Sequence, residues 1–357
     1  MTDSSWMIYG ANGYTGRLVA AEAKRRGMAP ILAGRSREQI EALATRLDLP
    51  WRAIGLDHKA ALVEALADVE CVLHCAGPFI KTSLPMVAAC LASKTHYLDI
   101  TGEIVVFERV LRAARKAEAA GVVLLPGAGF DVVPTDCLAA SLDRELPDAT
   151  HLELAFTASG GSASRGTLKT MIEGMPHAGA IRKDGKIVPV PLAWDTKEIE
   201  FSCGKRWAMT IPWGDISTAF SSTAIPNIRV YTGQSPAAIR RARRMRPFLR
   251  LAGITAVKRL LQWHIGRTVT GPDQSARETA RTFVWGQVEN AAGTRVTGTL
   301  ETPEGYAFTA TSSVECTHRV LEGAVAPGSW TPSRAFGPDF VAELDGVTVQ
   351  PPVREPA

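Results

Sequence analysis

Short apolar runs alternate with amphipathic segments through the first part of the chain. A first apolar strand ends at Tyr9, and each later run is followed by a segment with helical periodicity. The runs are nearly continuous in aliphatic residues, which is typical of strands buried on both faces of a parallel sheet. The pattern therefore predicts a doubly wound parallel α/β sheet. Its later strands are Pro30–Ala33, Trp51–Ile54, Glu70–Cys75, His96–Ile100 and Val122–Leu125, with helices over Arg37–Leu47, Ser83–Ser93 and Val105–Ala120.

In the rest of the chain, apolar and polar positions tend to alternate, which is the pattern of half-buried antiparallel strands. We expect a second α+β domain dominated by antiparallel strands, with its last three strands in a meander and a helix over Val314–Glu322. The predicted strands are His151–Thr157, Lys186–Pro191, Ile199–Cys203, Trp207–Ile211, Asn227–Tyr231, Arg281–Glu289, Arg295–Thr302 and Tyr306–Ser312.

The length of 357 residues suggests about two domains. The predicted bounds are 1–145 for the parallel sheet, 146–323 for the α+β domain, and 324–357 for a tail that packs back on the body.

The first strand leads directly into three glycines spaced three apart, and a helix follows at once. Gly10 permits a tight turn, Gly13 lets the backbone approach a ligand, and Gly16 lets helix and strand pack closely. A strand–turn–helix of this kind presents backbone N–H groups and a helix N-terminus to a pyrophosphate. The predicted cofactor-binding loop comprises Gly10, Ala11, Asn12, Gly13, Tyr14, Thr15 and Gly16. The alternative is a glycine-rich turn without a ligand.

The end of the second strand predicts which dinucleotide binds. NAD-preferring sites place an acid there to bind the ribose 2′-hydroxyl, whereas this chain has Arg35 and Ser36. Since a guanidinium pairs well with phosphate, the sequence predicts NADP(H) held through its 2′-phosphate. Asp57, after the third strand, is expected near the adenine, or else caps the following helix.

Small and polar residues follow the fourth, fifth and sixth strands, where ligands of such sheets bind. Two loops are expected to orient the nicotinamide; they comprise Cys75, Ala76, Gly77 and Pro78, and Thr101 and Gly102. The candidate catalytic residues are Tyr97, Asp99 and Asp131, with Glu103 also at these strand ends. For the two aspartates, capping a helix or bracing a loop is the alternative.

The composition indicates a cellular compartment and argues against a metal site. Six cysteines are scattered without a C-x-x-C pair, and the seven histidines show no metal-ligand spacing, so no metal site is expected. No apolar run has the length of a membrane span, and no basic-then-apolar leader is evident, so a cytoplasmic location is expected.

Net charge of +4 conceals one strongly basic segment. Residues 216–272 contain ten arginines and lysines and no acid, and a basic helical segment is predicted at 236–267. An apolar stripe at helical spacing runs through Leu251, Ile254, Val257, Leu261 and Ile265. A solvated basic face, a peripheral membrane helix and a docking face for acidic acyl-carrier groups all remain open. Nucleic acid is not expected, because no recognised binding motif accompanies the charge.

Five motifs in order resemble saccharopine dehydrogenase-like oxidoreductases, and more narrowly their trans-acting enoyl reductase branch. They are G-A-N-G-Y-T-G at 10–16, A-G-R-S at 33–36, A-G-P-F at 76–79, Y-L-D-I-T-G-E at 97–103 and G-A-G-F-D-V-V-P-T-D at 127–136. The resemblance implies an NADP-binding Rossmann domain and a second domain for substrate and dimerisation. It also implies a lipid or polyketide-type acyl substrate held by a partner synthase, with a homodimer as the default assembly.

The function expected is therefore hydride transfer from NADPH to an activated C=C bond, an enoyl reduction. No Tyr-x-x-x-Lys pair follows a strand, which argues against short-chain dehydrogenase chemistry. Two alternatives stay open: oxidation or reduction of an amino-acid or imine substrate, and a non-catalytic NADP-binding module associated with membranes or lipid.

Overall fold

The computed structural model describes residues 5–160, 164–174, 179–249, 254–268 and 271–355. The chain divides into two compact units, each built from two stretches of sequence. Unit 1 comprises Met1–Asp131 and Tyr306–Phe336, and unit 2 comprises Val132–Gly305 and Gly337–Ala357.

Unit 1 contains a parallel sheet, and the predicted fold class is confirmed. Its described strands lie in the order β15-β6-β5-β4-β1-β2-β3, every pair parallel. They are β1 Trp6–Tyr9, β2 Ile31–Gly34, β3 Trp51–Ala53, β4 Cys71–His74, β5 His96–Asp99, β6 Val123–Leu125 and β15 Gly328–Ser329. Because β1 has β2 on one side and β4 on the other, the order reverses at β1, and ligands of such sheets bind at the carboxyl ends of the strands there.

Helices cover the sheet of unit 1. They are α1 Tyr14–Arg25, α2 Arg37–Leu47, α3 Lys59–Ala65, α4 Phe79–Ser93, α5 Ile104–Leu111, α6 Ala114–Ala120, α13 Gly305–Leu321 and α14 Pro332–Phe336. Side chains of α3 to α6, such as Leu62 and Met86, share one core with Met7, Val72 and Leu124 of the strands. The predicted long helix over 105–120 is interrupted between α5 and α6.

Unit 2 is a mixed sheet with helices, in agreement with the predicted α+β domain. Its main strand order is β10-β11-β12-β7-β13-β14-β16, with β7 and β12 parallel and all other neighbours in this order antiparallel. The strands are β7 Ala149–Ala158, β8 Ala180–Lys183, β9 Lys186–Pro189, β10 Thr196–Phe201, β11 Gly204–Thr210, β12 Asn227–Gly233, β13 Arg281–Asn290, β14 Arg295–Pro303, β16 Thr348–Val349 and β17 Val353–Glu355. The helices are α7 Val133–Glu145, α8 Arg165–Gly174, α9 Asp215–Thr223, α10 Pro236–Leu249, α11 Thr255–Thr268 and α12 Gln274–Thr279, with a 3-10 helix over Pro338–Glu343.

Helix α7 packs closely on the sheet of unit 2. A Cβ placed on Gly286 would lie 2.9 Å from a methyl of Leu142, and one on Gly298 would lie 3.0 Å from a methyl of Leu138. These glycines let the helix approach the strands, so residues 133–145 group with unit 2, whereas the predicted boundary follows them. The tail also divides, since β15 pairs with β6 of unit 1 while β16 and β17 pair with β14 of unit 2.

One predicted strand is wrong. Residues Tyr306–Ser312 lie in α13, and the predicted three-stranded meander is a two-stranded hairpin of β13 and β14. The segment is rich in aromatic residues and threonine, which favour strands, but it is buried on several sides as a helix. Among the described residues, no helix is long and apolar enough to cross a membrane.

Candidate functional site

The glycine loop after β1 is held against both neighbouring strands. The backbone N–H groups of Gly10 and Ala11 donate to the Ala33 carbonyl oxygen, at 2.7 and 3.2 Å. Gly10 has a φ of +83°, and a Cβ there would lie 2.8 Å from the Cβ of Ala76. Glycine is therefore required at position 10 by both conformation and space.

The next two glycines shape the start of α1. A Cβ on Gly16 would lie well inside contact distance of the Gly10 carbonyl oxygen and 2.8 Å from the Ala11 Cα, so the helix packs directly on the turn. Among the described residues, a Cβ on Gly13 would meet the Gly10 oxygen alone within 4 Å, at 3.2 Å. Gly13 is exposed and extended at the N-cap, without a side-chain cap on α1. The helix N-terminus is thus open to an anion, as a pyrophosphate requires.

Other side chains of this loop are engaged within unit 1. The Asn12 amide donates to Gln39 at 2.8 Å, and Arg17 donates to the Asn12 carbonyl oxygen at 3.0 Å. The Tyr14 ring meets the edge of Tyr306 at 4.9 Å between centroids. Thr15 is half-buried in the first turn of α1. These contacts fix the conformation of the loop.

Arg35 and Ser36 follow β2, where the sequence places the ribose-phosphate contact. Arg35 is exposed, and among the described residues its guanidinium makes no hydrogen bond or ion pair. Ser36 is the N-cap of α2, but its hydroxyl does not cap the helix. A free cation beside a helix N-terminus fits a phosphate group.

Tyr9 connects the ends of the first three strands. Its hydroxyl donates to the Ile54 carbonyl oxygen at 3.1 Å. Burial raises the pKa of Tyr9 to about 12, with the positive Arg35 opposing this shift and the negative Asp57 adding to it. Arg35 and exposed Asp57 therefore both lie within electrostatic range of the same hydroxyl, as a shared nucleotide site requires.

The loop after β4 is fixed to the glycine loop. The Cys75 N–H donates to the Tyr9 carbonyl oxygen at 2.7 Å, and the Thr82 hydroxyl donates to the Ala76 carbonyl oxygen at 2.6 Å. A cis Gly77–Pro78 bond leads into α4. Burial, with the charge of Asp99, raises the pKa of the Cys75 thiol well above its usual value, so this thiol stays protonated.

Asp99 is a buried acceptor at the end of β5. Its carboxylate accepts from the Tyr97 hydroxyl at 2.6 Å and from the N–H groups of Thr101 and Gly127, both at 2.9 Å. Burial raises the pKa of Asp99 to about 6 against these three donors. Tyr97 and Asp99 are fully buried and join the loops after β5 and β6. These two predicted catalytic residues therefore make hydrogen bonds that hold the loops after β5 and β6.

Glu103 caps the helix that follows the neighbouring loop. Its two carboxylate oxygens accept from the N–H groups of Phe79 and Ile80, at 2.7 and 2.9 Å. A carboxylate is favourable at this end of a helix. The loops after β4 and β5 are therefore joined by this carboxylate.

Asp131 differs from the other carboxyl groups of the site. It is half-buried, and no hydrogen bond or ion pair to its side chain is found within the described part of the chain. Its Oδ2 lies 2.5 Å from where a Cβ on Gly102 would be, so the carboxyl group rests on the loop after β5. Burial, and secondarily the negative charge of Glu103, raise the pKa of Asp131 to about 7. A carboxyl group that titrates near neutrality can hold and release a proton.

Sequence reasoning missed two structural contributors. Helix α13 supports the loop after β6, because Thr309 accepts from the Phe130 N–H at 3.0 Å and Ser312 donates to the Ala128 carbonyl oxygen at 2.9 Å. The available signal is the helical spacing of small residues from Thr309 to Thr317. His74 is the second: it is buried beneath the site, its Nε2 lies 3.0 Å from the Thr82 hydroxyl, and burial lowers its pKa to about 3.

With this geometry in place, comparison with known proteins identifies the first unit. Residues 6–125 match the family model of the saccharopine dehydrogenase NADP binding domain. This segment is thus similar to the NADP-binding domain of saccharopine dehydrogenases. The predicted resemblance and the predicted cofactor are thereby confirmed for unit 1. Among the described residues, no group of three or more His, Cys, Asp and Glu side chains is arranged to hold a metal ion.

Relatives and one solved structure extend the comparison beyond this domain. A trans-acting enoyl reductase of Mycobacterium ulcerans is 30% identical over 204 residues, which are 53% of this chain and 49% of that protein. A saccharopine dehydrogenase-like oxidoreductase of Bos taurus is 28% identical over 214 residues, 52% of this chain and 50% of that protein. The chain thus spans about half the length of these relatives.

The structure of saccharopine dehydrogenase (L-Glu forming) from Saccharomyces cerevisiae matches with a TM-score of 0.68 and 12% identity. The match covers 99% of this chain and 100% of that one. At this identity the likeness shows the fold alone: a parallel sheet together with a second, mixed-sheet domain.

Proposed function

We propose that this chain is an NADP-dependent oxidoreductase that reduces an activated C=C bond in a lipid or polyketide-type acyl chain. The observation that carries the proposal is the pairing of an open α1 N-terminus with the free guanidinium of Arg35. Together they supply binding groups for a pyrophosphate and for a 2′-phosphate on one edge of the sheet.

The residues of unit 1 divide the work of binding. Gly13 and the α1 N-terminus hold the pyrophosphate, Arg35 and Ser36 hold the 2′-phosphate, and Asp57 lies on the adenine side. The two loops at the ends of β4 and β5, residues 75–78 and 101–102, orient the nicotinamide because β4 adjoins β1 in the sheet and β5 adjoins β4. When bound, NADPH supplies the hydride that forms the new C–H bond at the β-carbon.

Reduction also requires a proton at the α-carbon, and Asp131 is the group we assign to hold it. Its pKa of about 7 keeps a large share of the carboxyl group protonated at neutral pH. Tyr97 and Asp99 act as positioning residues, since they brace the loops that carry Thr101 and Gly127.

The similarity to a trans-acting enoyl reductase supports an acyl substrate carried by a partner synthase. A second candidate is an amino-acid or imine substrate, which the whole-chain fold likeness to saccharopine dehydrogenase favours. The two differ in the acceptor, so turnover assays distinguish them.

The test begins with parallel titrations of NADPH and NADH by fluorescence. We expect NADPH to bind about 100-fold more tightly, since charge-assisted hydrogen bonds to a 2′-phosphate contribute about 2–3 kcal/mol. Arg35→Ala removes most of this preference. The control Arg46→Ala, an exposed arginine at the other end of α2, leaves it intact. Equal affinity of the wild-type protein for both nucleotides would refute the role of Arg35.

Turnover is then followed by NADPH consumption with enoyl thioesters, and separately with imine acceptors. Consumption with enoyl thioesters supports the proposed reaction. Consumption with imines alone supports the second candidate. Tight NADPH binding without turnover on either class would overturn the enzymatic proposal in favour of a non-catalytic NADP-binding module.

A further inference from the structure

Helix α10 has a buried side that is fixed by arginine side chains. Arg246 donates to the carbonyl oxygens of Leu192 and Ala193, both at 2.7 Å, and Arg243 donates to Ala193 at 3.2 Å. Ile239 on the same side is 5% exposed. These contacts fix which side of α10 packs against residues 192–193, so the opposite side of the helix faces away from them.

The opposite side combines free cations with exposed apolar side chains. We call it the arginine face; it consists of Arg240, Arg241, Arg244, Met245 and Phe248. These positions recur at intervals of three and four, so they form one helical stripe. Met245 is 47% exposed and Phe248 is 56% exposed. Within the described residues, none of the three arginines makes a hydrogen bond or an ion pair.

The neighbouring segment lacks negative charge to neutralise this face. No Asp or Glu occurs from residue 216 to residue 272. On α8, which packs against α11, Glu173 is already paired with Lys258 at 2.8 Å. The arginine face therefore keeps its positive charge.

Helix α11 repeats the combination of charge and exposed apolar groups. Ile254, Leu261 and Trp263 are 52%, 37% and 55% exposed, and the Arg267 guanidinium lies 4.3 Å from the centroid of the Trp263 ring. Of the predicted apolar stripe, Leu251 lies outside the described residues and the side chain of Ile265 is not described. Amphipathic aromatic residues beside arginines are typical of helices at a membrane surface.

We propose that the arginine face binds the surface of an anionic lipid bilayer. Guanidinium groups pair with lipid phosphates, while Phe248 and Met245 enter the boundary between headgroups and acyl chains. An anionic bilayer supplies both phosphates for the arginines and an apolar environment for Phe248 and Met245. Because its lipids are mobile, it can do so around the convex surface of a single helix. An acidic protein would pair with the arginines but would need an apolar pocket matched to Phe248.

The proposal is tested by co-sedimentation of the full-length protein with vesicles of phosphatidylcholine, with and without about 30% phosphatidylserine. At about 0.05 M salt we expect binding to the anionic vesicles, with weakening as salt rises. Replacing Arg240, Arg241 and Arg244 by Gln should reduce partitioning about 100-fold, since each basic residue near an anionic surface contributes about fivefold.

A matched control carries Arg46→Gln, Arg115→Gln and Lys116→Gln, three exposed cations on helices of unit 1. It loses the same charge, so retained binding would show that position and not net charge matters. Met245→Gln with Phe248→Gln should reduce partitioning about tenfold and leave the salt dependence in place. Unchanged NADPH affinity in every variant shows that unit 1 remains folded.

Two outcomes overturn the proposal. One is no binding of the wild-type protein to anionic vesicles at low salt. The other is equal binding to soluble polyglutamate, with no effect of the Met245 and Phe248 changes on vesicle binding. The second result would assign the face to an acidic protein partner. Neither outcome bears on the proposed redox activity, which is assayed in the absence of vesicles.

Discussion

The three glycines of the loop after β1 separate into structural and ligand-contacting positions, and substitution by alanine should separate them experimentally. We expect Gly16→Ala to destabilise unit 1 and consequently to weaken cofactor binding. Gly13→Ala should weaken cofactor binding while the stability of the nucleotide-free protein is nearly unchanged. The prediction follows from what each added methyl group would meet.

For Gly16 the obstacles are backbone atoms, which cannot rotate away. The added Cβ would lie inside contact distance of the Gly10 oxygen, 2.8 Å from the Ala11 Cα and 3.0 Å from the Gly10 carbonyl carbon. Overpacking of this kind typically costs about 1–3 kcal/mol and here displaces a turn held by two hydrogen bonds. The higher helix propensity of alanine returns about 1 kcal/mol. The balance predicts a net loss of up to about 2 kcal/mol, because three backbone atoms must shift.

For Gly13 the added methyl group meets a single protein atom, the Gly10 oxygen at 3.2 Å. Its φ of −70° suits alanine. Alanine lowers the conformational entropy of the unfolded chain, which stabilises the fold, but it is a poorer N-cap than glycine. Because these effects oppose each other, the free energy of unfolding should change by less than about 0.5 kcal/mol. The methyl group instead occupies the side from which a pyrophosphate approaches. We expect the dissociation constant for NADPH to rise about 10- to 100-fold.

Urea unfolding of the nucleotide-free protein and NADPH titration measure the two effects separately. Hydrogen exchange of the α1 amides localises the destabilisation to unit 1. Gly174→Ala is the control, because a Cβ there meets no atom of the described residues within 4 Å. The reasoning fails if Gly16→Ala is as stable as the wild type, or if Gly13→Ala binds NADPH with unchanged affinity.

Two further predictions concern the carboxyl groups of the site. Because the folded-state pKa of Asp131 is raised to about 7, its contribution to stability is complete below about pH 4 and is lost as pH rises through 7. Asp131→Asn should therefore stabilise the protein by about 1–2 kcal/mol at about pH 8 and hardly at all at about pH 4, as measured by urea midpoints; equal shifts at both pH values would contradict this. Asp99→Asn places amide hydrogens among three donors and should lower the free energy of unfolding in urea by about 2–3 kcal/mol. Turnover of the folded enzyme should change only a few-fold. Lost turnover at full stability would instead make Asp99 catalytic.

The parallel sheet and its cofactor loop could be predicted because their signals are local. The strands of unit 1 are buried on both faces and read as continuous apolar runs, as Ile8, Leu32 and Leu73 illustrate. The glycine spacing likewise reflects steric demands within one strand–turn–helix. The role predicted for Arg35 rests on its position directly after β2, which requires no knowledge of distant residues.

The first half of α13 was missed because its support of the site is not local, whereas its second half lies within the helix predicted over Val314–Glu322. The residues that bind the loop after β6 come from about 180 positions further along the chain, as the Ser312–Ala128 hydrogen bond shows. The first half of the helix, from Tyr306 to Ser313, has no charged side chain and so lacks the polar face by which amphipathic helices are recognised, whereas Glu315, His318 and Arg319 mark the second half. A threonine-rich buried helix and a buried strand have similar compositions, and only tertiary packing separates them.

The sequence also left open whether each carboxyl group is structural or holds a proton. The hydrogen-bond donors around each group distinguish these roles. Among the described residues, Asp99 accepts from the Tyr97 hydroxyl and from two backbone N–H groups, and Glu103 accepts from the N–H groups of Phe79 and Ile80. The backbone donors define the shape of the loops. Such carboxylates cannot release their partners during a reaction without distorting the cofactor loops. Asp131 has no comparable donors within the described residues, and its charge is opposed by burial and by Glu103. The proton required by reduction is thus best held at the carboxyl group whose ionised form the fold stabilises least.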